Sequence, residues 1–151
     1  MREGFSEAVK AAMRAGDKRR VSTLRLVQAA IKDKDIEARG AGRGEATEAE
    51  ILALLQKMIK QRQESAAIYA EAGRAELAEQ ETAEAAIIAE FQPRQLDEAE
   101  TRAAVVAAIA ATGAGGIKDM GKVVGALRAE HAGSMDFAKA SALVKELLAK
   151  G

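Results

Sequence analysis

Phe91-Gln92-Pro93-Arg94-Gln95-Leu96-Asp97-Glu98-Ala99-Glu100 holds the only proline in a chain of 151 residues, and it divides the chain. Proline lacks the backbone N–H that a helix interior needs, and it pushes the residue before it out of the helical region. Helical patterning must therefore stop before Pro93. It restarts at Asp97, which with Glu100 three residues on forms an N-terminal capping signal. The decapeptide reads as a stop, a short connector and a new start, which predicts two units, residues 1–93 and 94–151.

Upstream of the stop, four helices are expected. The fourth runs from about Ala75 to Phe91 on Leu77, Ile87, Ile88 and Phe91. The third opens at Thr47-Glu48-Ala49-Glu50, a capping box. It continues to about Ala72 on Ile51, Leu55, Met58, Ile59, Ala66 and Tyr69, and Gly73 ends it. The first spans about Glu3 to Ala15, with Phe5, Val9, Ala12 and Met13 at helical spacing and Gly16 as a C-terminal cap. Asp17 caps the second, about Lys18 to Arg39, whose apolar stripe is Val21, Leu24, Val27 and Ile31. The glycine cluster over 40–44 separates it from the third.

Downstream, three helices are expected. The first carries Val105, Val106 and Ile109 and ends at Thr112-Gly113. The second runs from about Met120 to Glu130 on Val124 and Leu127. The last is capped by Asp136 and carries Val144, Leu147 and Leu148. The fold class is thus all-α, an N-terminal four-helix unit followed by a small three-helix unit. The scarcity of β-branched runs agrees with this.

Composition narrows the chemistry. No cysteine is present and there is one histidine, so disulfides and thiolate metal sites are excluded and a zinc site is disfavoured. No cofactor is expected. No stretch approaches the roughly 18 apolar residues of a membrane span, and Met1–Gly16 lacks the apolar run of a signal peptide. A cytoplasmic protein is expected. The formal charge is zero, but it is unevenly spread. Residues 1–43 carry 11 basic and 6 acidic side chains, 44–100 carry 5 and 13, and 101–151 carry 7 and 4. Basic ends and an acidic middle say more about partners than the total does.

Three groups of residues could carry function. Lys18, Arg25, Lys32 and Arg39 recur every seven positions, so they form one slowly drifting helical stripe. It is either a phosphate track or a solvated face bridged to the acidic fourth helix. Asp35 lies within pairing distance of Lys32 and Arg39. The carboxylates Glu76, Glu79, Glu81, Glu84 and Glu90 crowd the fourth helix, where Lys60, Arg62 and Arg74 are the expected counter-charges. An ion network is the simpler reading there than a catalytic carboxylate pair. The third group is the glycine loop Gly113–Gly116 with Ile117-Lys118-Asp119-Met120-Gly121-Lys122. A glycine loop opening a helix offers free N–H groups to an anion, and Lys118 and Lys122 add charge. The Gly-Lys-Ser/Thr ending of a nucleotide-binding loop is missing, so an RNA backbone is the better candidate than a nucleotide. Gly121 and Gly125 leave one helix face bare, where another backbone could approach. His131, Ser134 and Asp136 sit at a helix end where Ser and Asp are ordinary caps, and no catalytic residue is assigned.

The stretches Leu24–Lys32, Ile59–Ser65, Tyr69, Ala72–Ala78, Phe91–Leu96 and Met120–Gly125 together resemble the GatB/YqeY family, in order and over nearly the whole chain. Phe91-Gln92-Pro93 departs from the Tyr-Leu-Pro more usual there. The resemblance implies a helical N-terminal part and a small helical C-terminal part. It also implies kinship with the tail of the B subunit of the tRNA-dependent amidotransferase, which grips the tRNA body while amide formation proceeds elsewhere. A carbon–nitrogen ligase activity with glutamine as amido-N-donor would attach only by similarity, because the catalytic cradle of that enzyme is not in this chain. The expected role is a tRNA-binding accessory module. Lys118, Lys122 and Arg128 would contact phosphates, and Lys18, Arg25 and Lys32 would extend the contact. An amidotransferase or an aminoacyl-tRNA synthetase is the protein partner such a role calls for. The rivals are a helper in amidation of mischarged tRNA and a protein-interaction or oligomerisation module.

Overall fold

The computed structural model describes residues 1–150. Among these are seven α-helices and no strand: α1 (Arg2–Ala15), α2 (Lys18–Gly40), α3 (Glu48–Glu71), α4 (Ala75–Ala89), α5 (Glu98–Thr112), α6 (Met120–His131) and α7 (Phe137–Lys150), with one 3₁₀ turn at Ile117–Asp119 before α6. The chain divides into two compact units, Met1–Gln92 and Pro93–Gly151.

Local chemistry sets the ends of these helices. At Gly16, φ is 71° and the following amides turn back onto α1, with Asp17 N–H reaching the Ala12 carbonyl at 3.0 Å. A left-handed residue there costs glycine little and other residues more. The Asp17 carboxylate then accepts from Arg20 N–H at 3.0 Å and starts α2. Thr47 and Glu50 form a complete capping box, the Glu50 amide donating to Thr47 Oγ1 at 3.1 Å and the Thr47 amide to Glu50 Oε1 at 3.4 Å. Asp97 and Glu100 repeat it at α5, at 2.7 and 3.1 Å. Asp136 Oδ1 accepts from Ala138 and Lys139 at the start of α7.

The core of the first unit gathers Phe5 and Val9 from α1, Leu24, Val27 and Ile31 from α2, Ile51, Leu52, Leu55 and Met58 from α3, and Ile88 from α4. Phe91, in the turn after α4, lies outside the helix that was predicted to include it and stacks on Phe5 with ring centroids 4.4 Å apart. Met13, assigned to the apolar stripe of α1, is 54% exposed. It lies two turns from Phe5 but rotated some 80° around the helix, since each residue advances about 100°. In α2 the buried arc includes Thr23 and Ala38, while Val21 is only partly covered.

No residue from 59 to 84 is buried. Helices α3 and α4 pack on each other more extensively than any other pair of elements. Beyond Met58 they continue as an antiparallel two-helix arm, with Gly73 (φ 73°) in the turn at its tip. The outer part of α3 is about 18 Å long at 1.5 Å per residue. At the root of the arm, Arg62 Nε lies 3.4 Å from Glu84 Oε2, both side chains about 15% exposed. Leu77, predicted to be an anchor of α4, therefore sits outside the core at 37% exposure.

The second unit closes over Val105, Val123, Leu127, Met135, Ala140, Val144 and Leu148. Val105 is fully buried whereas its neighbour Val106 is 51% exposed and leaves the predicted apolar face. The connector is pinned within this unit: Leu96 N–H reaches the Ser134 carbonyl at 2.8 Å, and Gln95 Nε2 donates to the Gly133 carbonyl at 2.6 Å. Arg94 grips Glu100 through both guanidinium branches, at 2.9 and 2.6 Å. That ion pair, seconded by the Asp97 amide, lowers the Glu100 pKa from 4.5 to about 2. A carboxylate whose pKa is depressed by folding stabilises the folded state above its ordinary pKa, and the contribution disappears as pH falls through the depressed value. The contribution of Glu100 to the second unit should persist at mild acidity and fade between its ordinary 4.5 and about 2. Carboxyl-detected NMR titration should show this low midpoint, and Arg94→Ala should move it up toward the ordinary value. A wild-type midpoint already at the ordinary value would contradict the geometry.

Candidate nucleic-acid interface

Helix α6 presents its core side through Val123 and Leu127. About 100° per residue then places Gly121, Gly125, Ala129, Lys122 and Arg128 together on another side, and all five are exposed. A Cβ built on Gly121 or Gly125 would meet nothing within 4 Å. The sequence reading was that another backbone could approach this bare face, and no part of the fold does so. It is open to solvent instead. Lys122 and Arg128 border it, and Lys118 lies in the 3₁₀ turn just ahead of α6. None of the three forms an ion pair among the described residues. The Arg128 guanidinium lies over the Phe137 ring, 5.0 Å from its centroid. Stacking on an aromatic face holds a guanidinium while leaving its N–H edge free to donate.

The glycine loop ahead of α6 behaves differently from its sequence reading. Gly113 (φ 66°) is the left-handed cap of α5. The Gly115 amide, which was expected to be free for a phosphate, donates to Asp119 Oδ2 at 3.0 Å. A carboxylate already occupies the loop, so the cations of α6, and not the loop amides, are the anion-attracting feature.

On α2 the helix is continuous, so the seven-residue spacing does produce a stripe, rotating by about 20° per heptad. Lys18, Arg25, Lys32 and Arg39 are all exposed. Asp35, predicted to pair with Lys32 and Arg39, is instead bound by Arg2 of α1 through two contacts of 2.7 Å, and it also accepts the Ala46 amide at 3.0 Å. The Arg2 guanidinium, then the Ala46 N–H, hold the Asp35 carboxyl below the usual carboxylate range. Nor is the stripe bridged to the acidic helix. The cation of α2 that reaches this acidic segment is Arg20, bound to both oxygens of Glu90, just past the end of α4, at 2.7 and 3.2 Å. Arg62 serves Glu84, but among the described residues Lys60 and Arg74 meet no carboxylate, and Glu76, Glu79 and Glu81 have no cation partner. Lys18, Arg25 and Lys32 are therefore unneutralised, like Lys118, Lys122 and Arg128. The first set belongs to the Met1–Gln92 unit and the second to the Pro93–Gly151 unit.

No side-chain hydrogen bond links His131, Ser134 and Asp136. The Asp136 carboxylate caps α7, and His131 lies 4.0 Å from Glu130. Among the described residues, no three His, Cys, Asp or Glu side chains are grouped to hold a metal. No single helix there is long and apolar enough to cross a membrane. The exposed α6 face was legible only in part. Lys118, Lys122 and Arg128 can be read from the sequence, whereas the openness of the glycine face depends on what packs against it.

No curated protein matches the chain closely enough to be compared with it. Residues 2–148 match the sequence model of the family described as Yqey-like protein. That span takes in all seven helices nearly to the end of α7 and every stretch that suggested the resemblance, so the chain belongs to the YqeY-like family.

Proposed function

We propose that this protein is a tRNA-binding accessory module without a catalytic centre of its own, working beside translation in the cytoplasm. The observation that carries the reading is the α6 face, where three unneutralised cations border a surface that two glycines leave without side chains. A polyanion can approach such a surface closely and release its counterions there. Aromatics make up only 3% of the sequence, so platforms for stacking unpaired bases are scarce. Recognition would run through phosphates and the shape of a folded RNA. Kinship with the tail of the amidotransferase B subunit makes tRNA the fitting RNA. An amidotransferase or an aminoacyl-tRNA synthetase is then the fitting protein partner. Any glutamine-dependent amidation, the carbon–nitrogen ligase chemistry of that enzyme, would be carried by the other chain. In this reading the four helices before Pro93 and the three after it are separate folding units. The second supplies the principal contact, and Lys18, Arg25 and Lys32 of α2 supply a further one.

The test is a titration of total tRNA at increasing salt. Each phosphate contact contributes about 0.9 to the slope of log affinity against log salt on a duplex. The combined Lys118→Ala, Lys122→Ala, Arg128→Ala variant should weaken binding across sequences and flatten the slope by about two to three. All three side chains are exposed, so helix content by circular dichroism should not change. Unchanged affinity and slope in a folded variant would overturn the proposal.

A further inference from the structure

Two exposed apolar features of the first unit carry opposite charge. One is an open groove of about 740 Å³ between the end of α1 and the start of α2, lined by Met13, Val21 and Leu26 with Lys18 and Arg25. Met13 is 54% and Leu26 51% exposed. No carboxylate lines the groove. Arg25 Nη2 reaches Met13 Sδ at 3.7 Å, and the Ser22 hydroxyl on the groove wall donates to the Arg19 carbonyl at 3.1 Å.

The other is the tip of the α3–α4 arm. Ile68, before the Gly73 turn, is 66% exposed, and Leu77, after it, 37%. Glu64 and Glu71 share the helix face of Ile68, at four positions before and three after, and Glu81 shares that of Leu77. Among the described residues none of these glutamates has a cation partner, and Arg74 is the only basic residue near the turn. An arm with no buried residue from 59 to 84 gains nothing for its own core by extending so far. Its length makes sense where it meets a second surface.

We infer that the arm tip of one copy of this chain docks in the α1–α2 groove of a second copy, Ile68 and Leu77 packing on Met13 and Leu26 while the arm's glutamates face Lys18 and Arg25. Two copies that exchange arms form both contacts at once, the closed two-fold arrangement in which each residue pair occurs twice. Burial of the apolar tips supplies affinity, and the opposed charges set register and speed encounter. Assembly covers Lys18 and Arg25, so the dimer and the RNA contact proposed for those two residues exclude each other.

The experiment is sedimentation velocity of the full chain from micromolar to submillimolar concentration, at low and at high salt. The expected result is a mass that rises from monomer to dimer with concentration, with association weakened by salt. Leu26→Glu in the groove and Ile68→Glu on the arm should each weaken association by at least about tenfold, since each places a carboxylate in a desolvated contact. Both residues already face solvent, so the monomer should keep its helix content. Arg25→Glu alone should also dissociate the dimer. Mixing it with a chain carrying Glu71→Lys and Glu76→Lys should restore a mixed dimer. A monomer at every concentration would overturn the inference, even if the groove then bound an acidic amphipathic peptide. A dimer indifferent to both Leu26→Glu and Ile68→Glu would overturn it as well, because another surface would be holding the copies together.

Discussion

Phe5→Ala should destabilise the Met1–Gln92 unit by about 3–5 kcal/mol, the range for deleting a buried phenylalanine. Phe5 is fully buried and stacks on Phe91 at 4.4 Å. It lies in the cluster with Leu24, Val27 and Ile31 of α2, and its stacking on Phe91 ties α1 to the turn after α4, far away in sequence. Truncation removes the transfer free energy of the ring, the aromatic contact and the packing around the void. Phe5 is the largest fully buried side chain of this unit, so no buried neighbour of its size can fill the gap. Folded domains hold only about 5–15 kcal/mol in all, so the loss should leave this unit partly unfolded at moderate temperature. Amide exchange in α1, α2 and the core half of α3 should accelerate together. Exchange confined to α1 would mean that α2–α4 hold a core without it.

The second large effect is expected from Leu127→Ala, at about 2–5 kcal/mol. Leu127 is 1% exposed and lies in the cluster with Val105 of α5 and Val144 and Leu148 of α7. A unit of three short helices buries less surface than a larger domain and has correspondingly less stability to lose. Faster exchange throughout α5, α6 and α7 is the expected readout. The spread within the range reflects how far the cavity can collapse, and the glycines in α6 and in the loop before it favour some collapse. Loss of protection in α6 alone would mean that α5 and α7 pair without it. Under the proposed function, Leu127→Ala should also weaken tRNA binding, because Lys122 and Arg128 ride on the same helix. The surface triple variant should weaken binding with exchange unchanged, which separates contact from stability.

The elements that could be read directly are those settled within four residues. Gly16 and Gly113 end helices because a left-handed residue must follow the last turn. Thr47 with Glu50, and Asp97 with Glu100, start helices because both partners of each bond lie within one turn. Pro93 interrupts helix for a reason internal to its own ring. None of these depends on what lies across the fold.

Burial and pairing depend on the neighbours a helix acquires. Val105 and Val106 are equally apolar and differ by about 100° around α5, yet only the first faces α6 and α7. Thr23 is buried and Val21 only half so, because α1, α3 and α4 all pack on α2 and widen its covered arc beyond any single stripe. Leu77 has the spacing of a core residue but belongs to an arm that outruns its core. Asp35 had two basic neighbours on its own helix and went to Arg2 of α1, whose planar guanidinium meets both carboxylate oxygens, as Lys32 and Arg39 do not. The Gly115 amide looked free until Asp119 turned back on it. Helix starts and stops were thus written in the chain because their energies are local. Which cations stayed unpaired, and which glycine face stayed open, followed from packing between residues far apart in sequence.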